Sequence, residues 1–425
     1  MVLMALSAMG TNGDMLPLFW AATGLALKEG VTVHFVVQPF QMETVTEKLC
    51  GSSRFTTSEA EETLSVARRA FQVSFTPPQG CPPKVETAAA AEAEVSVALR
   101  HLVFKTDNDV KFHVWAPLDE SWNEKEYQEW HDLGNIAFKL PTYGAFLTKW
   151  QATLSVLDTH LPTSGVFRIS NCYDQEPNLK LFEAALGYAA DLHLRVGTLS
   201  LMDKEPEKKL YALSETLCPR KLHLSPSRIK DVSPKSWKLA GLIREPPSVF
   251  PAALLPVDVA SFLEAGPVIV VTLSSSHLGS LLEDLLRDRR CLFVSSRVEV
   301  PLPGHMHWPG QLDLDAVFAK ASLIIHACGV GTAYQAVCAG KPSICVTLTK
   351  EQSNNAHRLV YKGVALHFPL ADLKKDQDAQ ESFAKALDSP FSAESIRALQ
   401  AQATQQGNGF DVCVQMLTDA LQRSV

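Results

Sequence analysis

The stretch LIIHACGVGTAYQAVCAGKP, residues 323–342, holds the residues whose types and spacing point most directly to chemistry. An apolar run that reads as a strand ends at His326, glycines follow at 329 and 331 with Val330 between them, and helical spacing resumes near Thr332. Glycines let a backbone approach a ligand closely. A helix that begins there turns unpaired N–H groups and the positive end of its dipole toward it. Such a turn suits an anion. Thr332 either caps the helix or offers its hydroxyl to a phosphate oxygen, and the same glycines would also serve a plain tight turn. The spacing is not GxGxxG and no acid stands at ribose distance, so a diphosphate-sized group fits better than a dinucleotide.

Two other turns carry candidate groups. Ser274 and Ser275 close the apolar run PVIVVTL, and would add hydroxyls to the same anion or act as ordinary turn residues. Asp14, next to Gly13 in MGTNGDMLP, follows the apolar run VLMALSA and stands where a sheet binds ligands, or where a helix takes a capping or first-turn acid. An ordinary Asp titrates near about 3.9, so burial or a neighbouring acid would have to raise it for efficient base work. The nine cysteines are scattered and odd in number and form no CxxC pair, so they read as reduced thiols rather than a disulfide framework or a zinc site.

These groups have to be positioned by alternating strands and helices. VLMALSA, the helix-spaced LFWAATGLALKEG and VTVHFVV make a βαβ unit, with Gly30 ending the helix. GVFRISN, NLKLFEAALGYAA and DLHLRVG make another, and TAAAAEAEVSVALR (residues 87–100) reads as an exposed helix. Residues 101–150, rich in aromatics, show no readable pattern. In the second half PVIVVTLSSS, CLFVSS, SLIIHA and KPSICVTL read as strands, alternating with LGSLLEDLLRD, DAVFAKA and NNAHRLVYKG as helices. The proline-rich IREPPSVFPAALLP from residue 243 suits a linker, which divides the chain into domains 1–242 and 243–425, with the last helix able to pack back on the first. The expected fold class is α/β, with two Rossmann-like domains facing each other across a cleft.

The totals agree with this division. A chain of 425 residues exceeds one ordinary core and suits two domains of about 200 residues each. A formal charge of −7 provides no basic field, so a nucleic-acid partner is not expected. The apolar start MVLMALSAMG lacks a basic flank and no run approaches the length of a membrane span, so the expected location is cytoplasmic.

HACGVGTAYQAVCAGKPSICVTLTKEQSNNAHRLVYKGVA resembles the donor-binding region of GT-B glycosyltransferases of the UDP-glycosyltransferase superfamily, with G-x-G-T at Gly329, Gly331 and Thr332, then Ala336, Gly340 and Pro342, then Glu351, Gln352, Asn355 and Ala356. GTNGDMLPLFWAATGLALKEGVTVHFV is similar to the N-terminal segment of bacterial macrolide-type and sterol glucosyltransferases. Weaker similarity lies between the two, and residues 50–160 show none, as expected of a segment that shapes acceptor choice.

The resemblance implies an inverting, metal-independent glycosyltransferase that takes a UDP- or dTDP-sugar as co-substrate, with no other cofactor. A small, partly apolar acceptor hydroxyl would receive the sugar. Asp14 falls at the position of the family's catalytic base, while Gly329, Val330, Gly331 and Thr332, with Ser274, Ser275 and His326, fall at the diphosphate. Glu351 and Gln352 match the acid-Gln pair that binds the sugar, although the family commonly has Asp where this chain has Glu. Trp308 lies where such enzymes contact the nucleobase, and Gly13, Asn171 and Asp174 fall on the acceptor side, with an ordinary packed Trp and a surface acid as the plainer alternatives. The family's diphosphate-contacting His falls on Ala327, one residue after His326. Neighbouring residues of a strand point to opposite faces, so His326 does not simply replace it. That departure keeps open a second expectation, a non-catalytic or partner-dependent nucleotide-sugar binder.

Overall fold

The computed structural model describes residues 1–7, 12–72, 91–118, 141–162, 165–172, 192–196, 220–224, 238–239, 243, 245–246, 249–250, 254–273, 279–294, 302–310, 312–406 and 409–424. They fall into two compact units. The first gathers the described residues of Met1–Val196, Arg220–Pro251 and Asn408–Val425, and the second those of Ala252–Gly407.

The first unit runs β1 (Val2–Leu6), α1 (Asn12–Glu29), β2 (Thr32–Val36), α2 (Pro39–Gly51), β3 (Phe55–Gln72), β4 (Ala91–Thr106), β5 (Lys111–Pro117), α3 (Pro141–Leu157), β6 (Val166–Cys172), β7 (Leu192–Val196), β8 (Arg220–Leu224) and β9 (Lys238–Leu239). Its described strands form one sheet in the order β3-β4-β5-β2-β1-β6-β7-β8-β9, parallel from β5 to β7 and antiparallel toward both edges. Leu3, Ala5, Val33, Phe35, Phe112 and Val114 line one face of that sheet and pack with Leu18, Phe19 and Ala22 of α1.

The segment expected as a helix at 87–100 is corrected from residue 91 onward. It belongs to β4, paired antiparallel with β3 and β5, and residues 87–90 lie outside the described residues. Its alanines favour a helix locally, yet Val97 and Leu99 are buried while Glu94 and Ser96 between the apolar positions are exposed, the alternation of a half-buried strand. Trp115 and Phe146, in the aromatic stretch 101–150, are both core residues, 2% and 1% exposed. Trp122 and Trp130 of the same stretch lie outside the described residues. Val249 and Phe250, inside the proline-rich stretch, sit in the first unit's core, so this unit runs to Pro251.

The second unit runs α4 (Val257–Glu264), β10 (Ile269–Thr272), α5 (Gly279–Leu285), β11 (Cys291–Val294), β12 (His305–Trp308), α6 (Leu314–Lys320), β13 (Leu323–His326), α7 (Val330–Cys338), β14 (Ser343–Thr347), α8 (Lys350–Tyr361), β15 (Ala365–Pro369), α9 (Leu370–Leu373), α10 (Gln377–Ala386) and α11 (Ala393–Gln406). Six described strands pair in parallel in the order β12-β11-β10-β13-β14-β15. Ile269, Val271, Phe293, Ile325 and Ile344 enter one core, and Val270, Leu292, Val294 and Ile324 the other. Helices on both faces of a parallel sheet explain why its strands are apolar throughout rather than alternating. The chain then returns to the first unit as α12 (Gly409–Ser424), whose Phe410 and Val414 pack into the same core as α1. No helix among the described residues is long and apolar enough to cross a membrane.

Candidate functional site: the start of helix α7

β13 lies between β10 and β14, and its last residue, His326, pairs with Thr272 on one side and Cys345 on the other. The chain leaves the sheet through Ala327, Cys328 and Gly329. Cys328, not either glycine, takes the left-handed backbone conformation, at φ 64°. Two side chains hold it there. Its N–H donates to Nδ1 of His326 at 3.0 Å, and its carbonyl accepts from Nδ2 of the buried Asn355 at 3.2 Å. Asn355 Oδ1 in turn accepts from Nη1 of Arg358 at 3.3 Å, so α8 fastens the loop that starts α7.

Gly329 is the N-cap of α7 and supplies no side-chain hydrogen bond, whereas α6 is capped by Asp313 and α8 by Thr349 through their side chains. Thr332 therefore stands inside the first turn rather than at the cap. Among the described residues nothing accepts from the amides of Gly329, Val330, Gly331 or Thr332. A Cβ placed on Gly329 or on Gly331 would meet nothing within 4 Å among the described residues. Among the described residues, the two glycines are thus required neither by φ nor by packing. What they leave is open space beside orphan donors at the positive end of a nine-residue helix, an arrangement that accommodates an anion. At the other end of α7 Gly340 has φ 65° and closes the helix with a bond from its N–H to the carbonyl of Val337 at 3.0 Å.

Two expected ligand contacts are redirected. His326 is 0% exposed, with Nδ1 committed to Cys328 and Nε2 facing Cys345 Sγ at 4.0 Å, so its ring is turned into the protein and away from an anion at α7. Gln352 is the third residue of α8, and its Oε1 accepts from the N–H groups of Leu348 at 2.8 Å and Thr349 at 3.2 Å, while Thr349 Oγ1 accepts from the N–H of Gln352 at 3.2 Å. This capping box occupies the side-chain carbonyl of Gln352, a residue expected to bind sugar. Trp308 ends β12 half-buried against the core of Val294 and Val317, with Nε1 buried and without a hydrogen-bond partner among the described residues.

Gly13 and Asp14 are the second and third residues of α1 and Asn171 lies in β6, opposite Leu194. The side chains of Asp14, Asn171 and Glu351 lie outside the described residues, as do Ser274, Ser275 and Asp174 altogether. Two features escaped sequence reasoning. Asn355 was one letter of a pattern and proves to be the fastener of the loop, and Cys328 and Cys345, distant in sequence, meet His326 to form the one group of three that could hold a metal among the described residues.

Residues 311–408 match the glycosyltransferase family 28 C-terminal domain, a span that contains β13, α7 and α8. No curated protein matches the chain at the level of sequence. Among solved structures, the calicheamicin glycosyltransferase CalG4 is similar with a TM-score of 0.53 at 12% identity, over 99% of this chain and 98% of that one. The spinosyn rhamnosyltransferase SpnG complexed with spinosyn aglycone gives 0.53 at 13%, over 98% and 99%. SsfS6 of Streptomyces sp. SF2575, complexed with thymidine diphosphate, gives 0.50 at 14%, over 98% and 99%. The chain has the two-domain α/β fold of these GT-B glycosyltransferases.

Proposed function

We propose that this chain, whose residues 311–408 carry a glycosyltransferase family 28 C-terminal domain, is a glycosyltransferase that moves a sugar from UDP or dTDP to a hydroxyl of a small, partly apolar acceptor. Transfer inverts the anomeric carbon and needs no metal. The observation that carries this reading is a coincidence of place: the family match covers the start of α7, where amides without acceptors stand beside the space left by Gly329 and Gly331.

The chemistry follows from those groups. As the bond between the anomeric carbon and the diphosphate breaks, negative charge builds on the phosphate oxygens. The amides of residues 329–332 and the helix dipole favour that charge without having to reorganise. The hydroxyl of Thr332, in the same turn, adds a further donor. The sugar passes through an oxocarbenium-like state, and an acceptor oxygen that attacks from the face opposite the leaving group inverts the centre in one step. That oxygen must lose its proton. Asp14 is the base in this proposal and takes the proton as the new bond forms. SsfS6 with thymidine diphosphate and SpnG with its aglycone supply the precedent for the two ligand classes. A nucleotide-sugar donor and cysteines that read as reduced thiols support a cytoplasmic location in this proposal.

Calorimetric titration with UDP, dTDP and NAD tests the donor half: a diphosphate nucleoside binds and NAD does not. A donor and acceptor screen tests the other half, with product formed by the native chain and lost by at least about a hundredfold in Asp14→Asn. A second reading, a nucleotide-sugar binder without catalysis, draws on Ala327 standing where the resembling enzymes have a histidine and on His326 being turned inward. Nucleotide binding without any product would select it, and full turnover by Asp14→Asn would remove Asp14 as the base.

A further inference from the structure

Beneath the start of α7, three side chains apart from the amide set described above come together. His326, Cys328 and Cys345 are each 0% exposed, and their ring nitrogen and sulfur atoms lie within 4.8 Å of one another. The set has the composition of a metal site, but the position of one proton opposes that use. Nδ1 of His326 accepts from the amide of Cys328, so the neutral ring carries its proton on Nε2, the atom that faces Cys345 Sγ at 4.0 Å. A protonated Nε2 does not ligate a metal; it favours a thiolate.

The sulfurs are poised accordingly. The hydrogen bond from Cys328 holds the Cys345 thiol below the ordinary thiol range, with the nearby His326 acting in the same direction against burial. Burial pushes the Cys328 thiol up. A thiolate beside a second thiol is the pair that oxidation joins.

We propose that Cys328 and Cys345 form a reversible disulfide under peroxide oxidation, and that closing it displaces the loop that starts α7. The Cys345 thiolate attacks hydrogen peroxide, forming a sulfenic acid and releasing hydroxide, which takes up the proton lost by the thiol and leaves as water. Cys328 then attacks the sulfenic sulfur, and its own proton leaves with the sulfenic oxygen as a second water. Two thiols lose two electrons and the peroxide gains them. A disulfide bond is about 2.05 Å long, so sulfurs held within 4.8 Å must close by up to about 2.7 Å. Cys345 cannot supply that movement, because β14 is laddered on both sides and Cys345 itself pairs with His326 and His367. Cys328 lies outside the strands at φ 64°, and among the described residues its backbone is held by the bonds to His326 and Asn355. The loop gives way. That this weakens nucleotide binding rests on the function proposed above; that the bond forms and the loop moves does not.

The test treats reduced full-length protein with hydrogen peroxide, blocks remaining thiols with iodoacetamide under denaturing conditions, and maps the peptides by mass spectrometry. The expected product is a cross-linked pair containing Cys328 and Cys345, two hydrogens lighter than its parts and released by dithiothreitol. Amide exchange at Cys328, whose N–H is bonded to His326, should be at least tenfold faster in the oxidised protein, and UDP affinity at least tenfold lower. Cys328→Gly, which suits the left-handed backbone and so keeps the fold, should show no such cross-link and no oxidation-dependent change in exchange. Carbamidomethyl groups on both Cys328 and Cys345 after oxidation, a bond from Cys345 to another cysteine, or a cross-link with unchanged exchange each overturns the proposal. If the reduced protein binds no nucleoside diphosphate, the proposed function fails, while cross-link and exchange still decide the disulfide.

Discussion

The side-chain amide of Asn355, on α8, donates to the carbonyl of Cys328 at 3.2 Å across the loop that starts α7. With His326 on the amide of the same residue, it satisfies both backbone polar groups of a non-glycine residue at φ 64°. Such a conformation costs about 1–2 kcal/mol and persists only where neighbours enforce it. Asn355→Ala removes the donor and leaves a buried carbonyl unpaired, at a cost of about 1–3 kcal/mol. A lower urea midpoint together with at least tenfold weaker UDP binding is the expected result. An unchanged midpoint would show that the fastening does not hold the loop.

Gly331→Ala separates folding from binding. The position lies in the first turn of α7 with nothing within 4 Å of a Cβ, and Ala is the better helix former by about 1 kcal/mol. Thermal stability should therefore hold or rise slightly while nucleoside diphosphate affinity falls at least tenfold, because the methyl group enters the space beside the free amides. Affinity equal to that of the native protein would remove the anion from this turn.

Gly24→Ala should do the opposite. A Cβ there would stand 2.5 Å from Cγ2 of Val414 and 2.7 Å from Cζ of Phe410, both on the C-terminal helix α12. Overpacking of this kind costs about 1–3 kcal/mol, more than the gain in helix propensity. A lower denaturation midpoint and faster proteolysis within residues 409–424 check it; a midpoint at or above the native value contradicts the close packing of α1 on α12.

Acid should weaken the first unit through His34. Its ring lies in β2, accepts from Nε1 of Trp115 at 3.2 Å and stacks on His113 with centroids 4.3 Å apart. Burial first, then the neighbouring His113, His101 and His160, lower its pKa from 6.5 to about 3. The unfolded chain therefore binds this proton before the folded one does. The stability due to neutral His34 is fully present above about pH 6.5 and is lost as pH falls from there toward about 3. Between pH 7.5 and 5 the loss is about 2 kcal/mol. Urea midpoints at the two values measure it, and His34→Gln, whose carbonyl can still accept from the indole, should flatten the difference. Equal pH sensitivity in native and variant proteins would assign the effect elsewhere.

The sequence by itself determined the alternation of strands and helices in the second unit and the turn at Gly329 and Gly331. Both are local matters: a strand buried on two faces has to be apolar along its length, and a glycine beside a helix start leaves space wherever the chain goes afterwards. Tertiary structure alone decided the rest. The alanines of residues 91–98 favour a helix until β3 offers them backbone partners, with β5 joining on the other side from Leu99 onward. His326 and Gln352 carry the right chemistry to bind a ligand, yet Cys328, Leu348 and Thr349 take up their acceptor atoms. Which neighbour claims a nitrogen or an oxygen is settled by elements far away in the chain, and no spacing of residues records it. The meeting of Cys328 with Cys345 belongs to the same class, since it exists only because β13 and β14 lie side by side with His326 opposite Cys345.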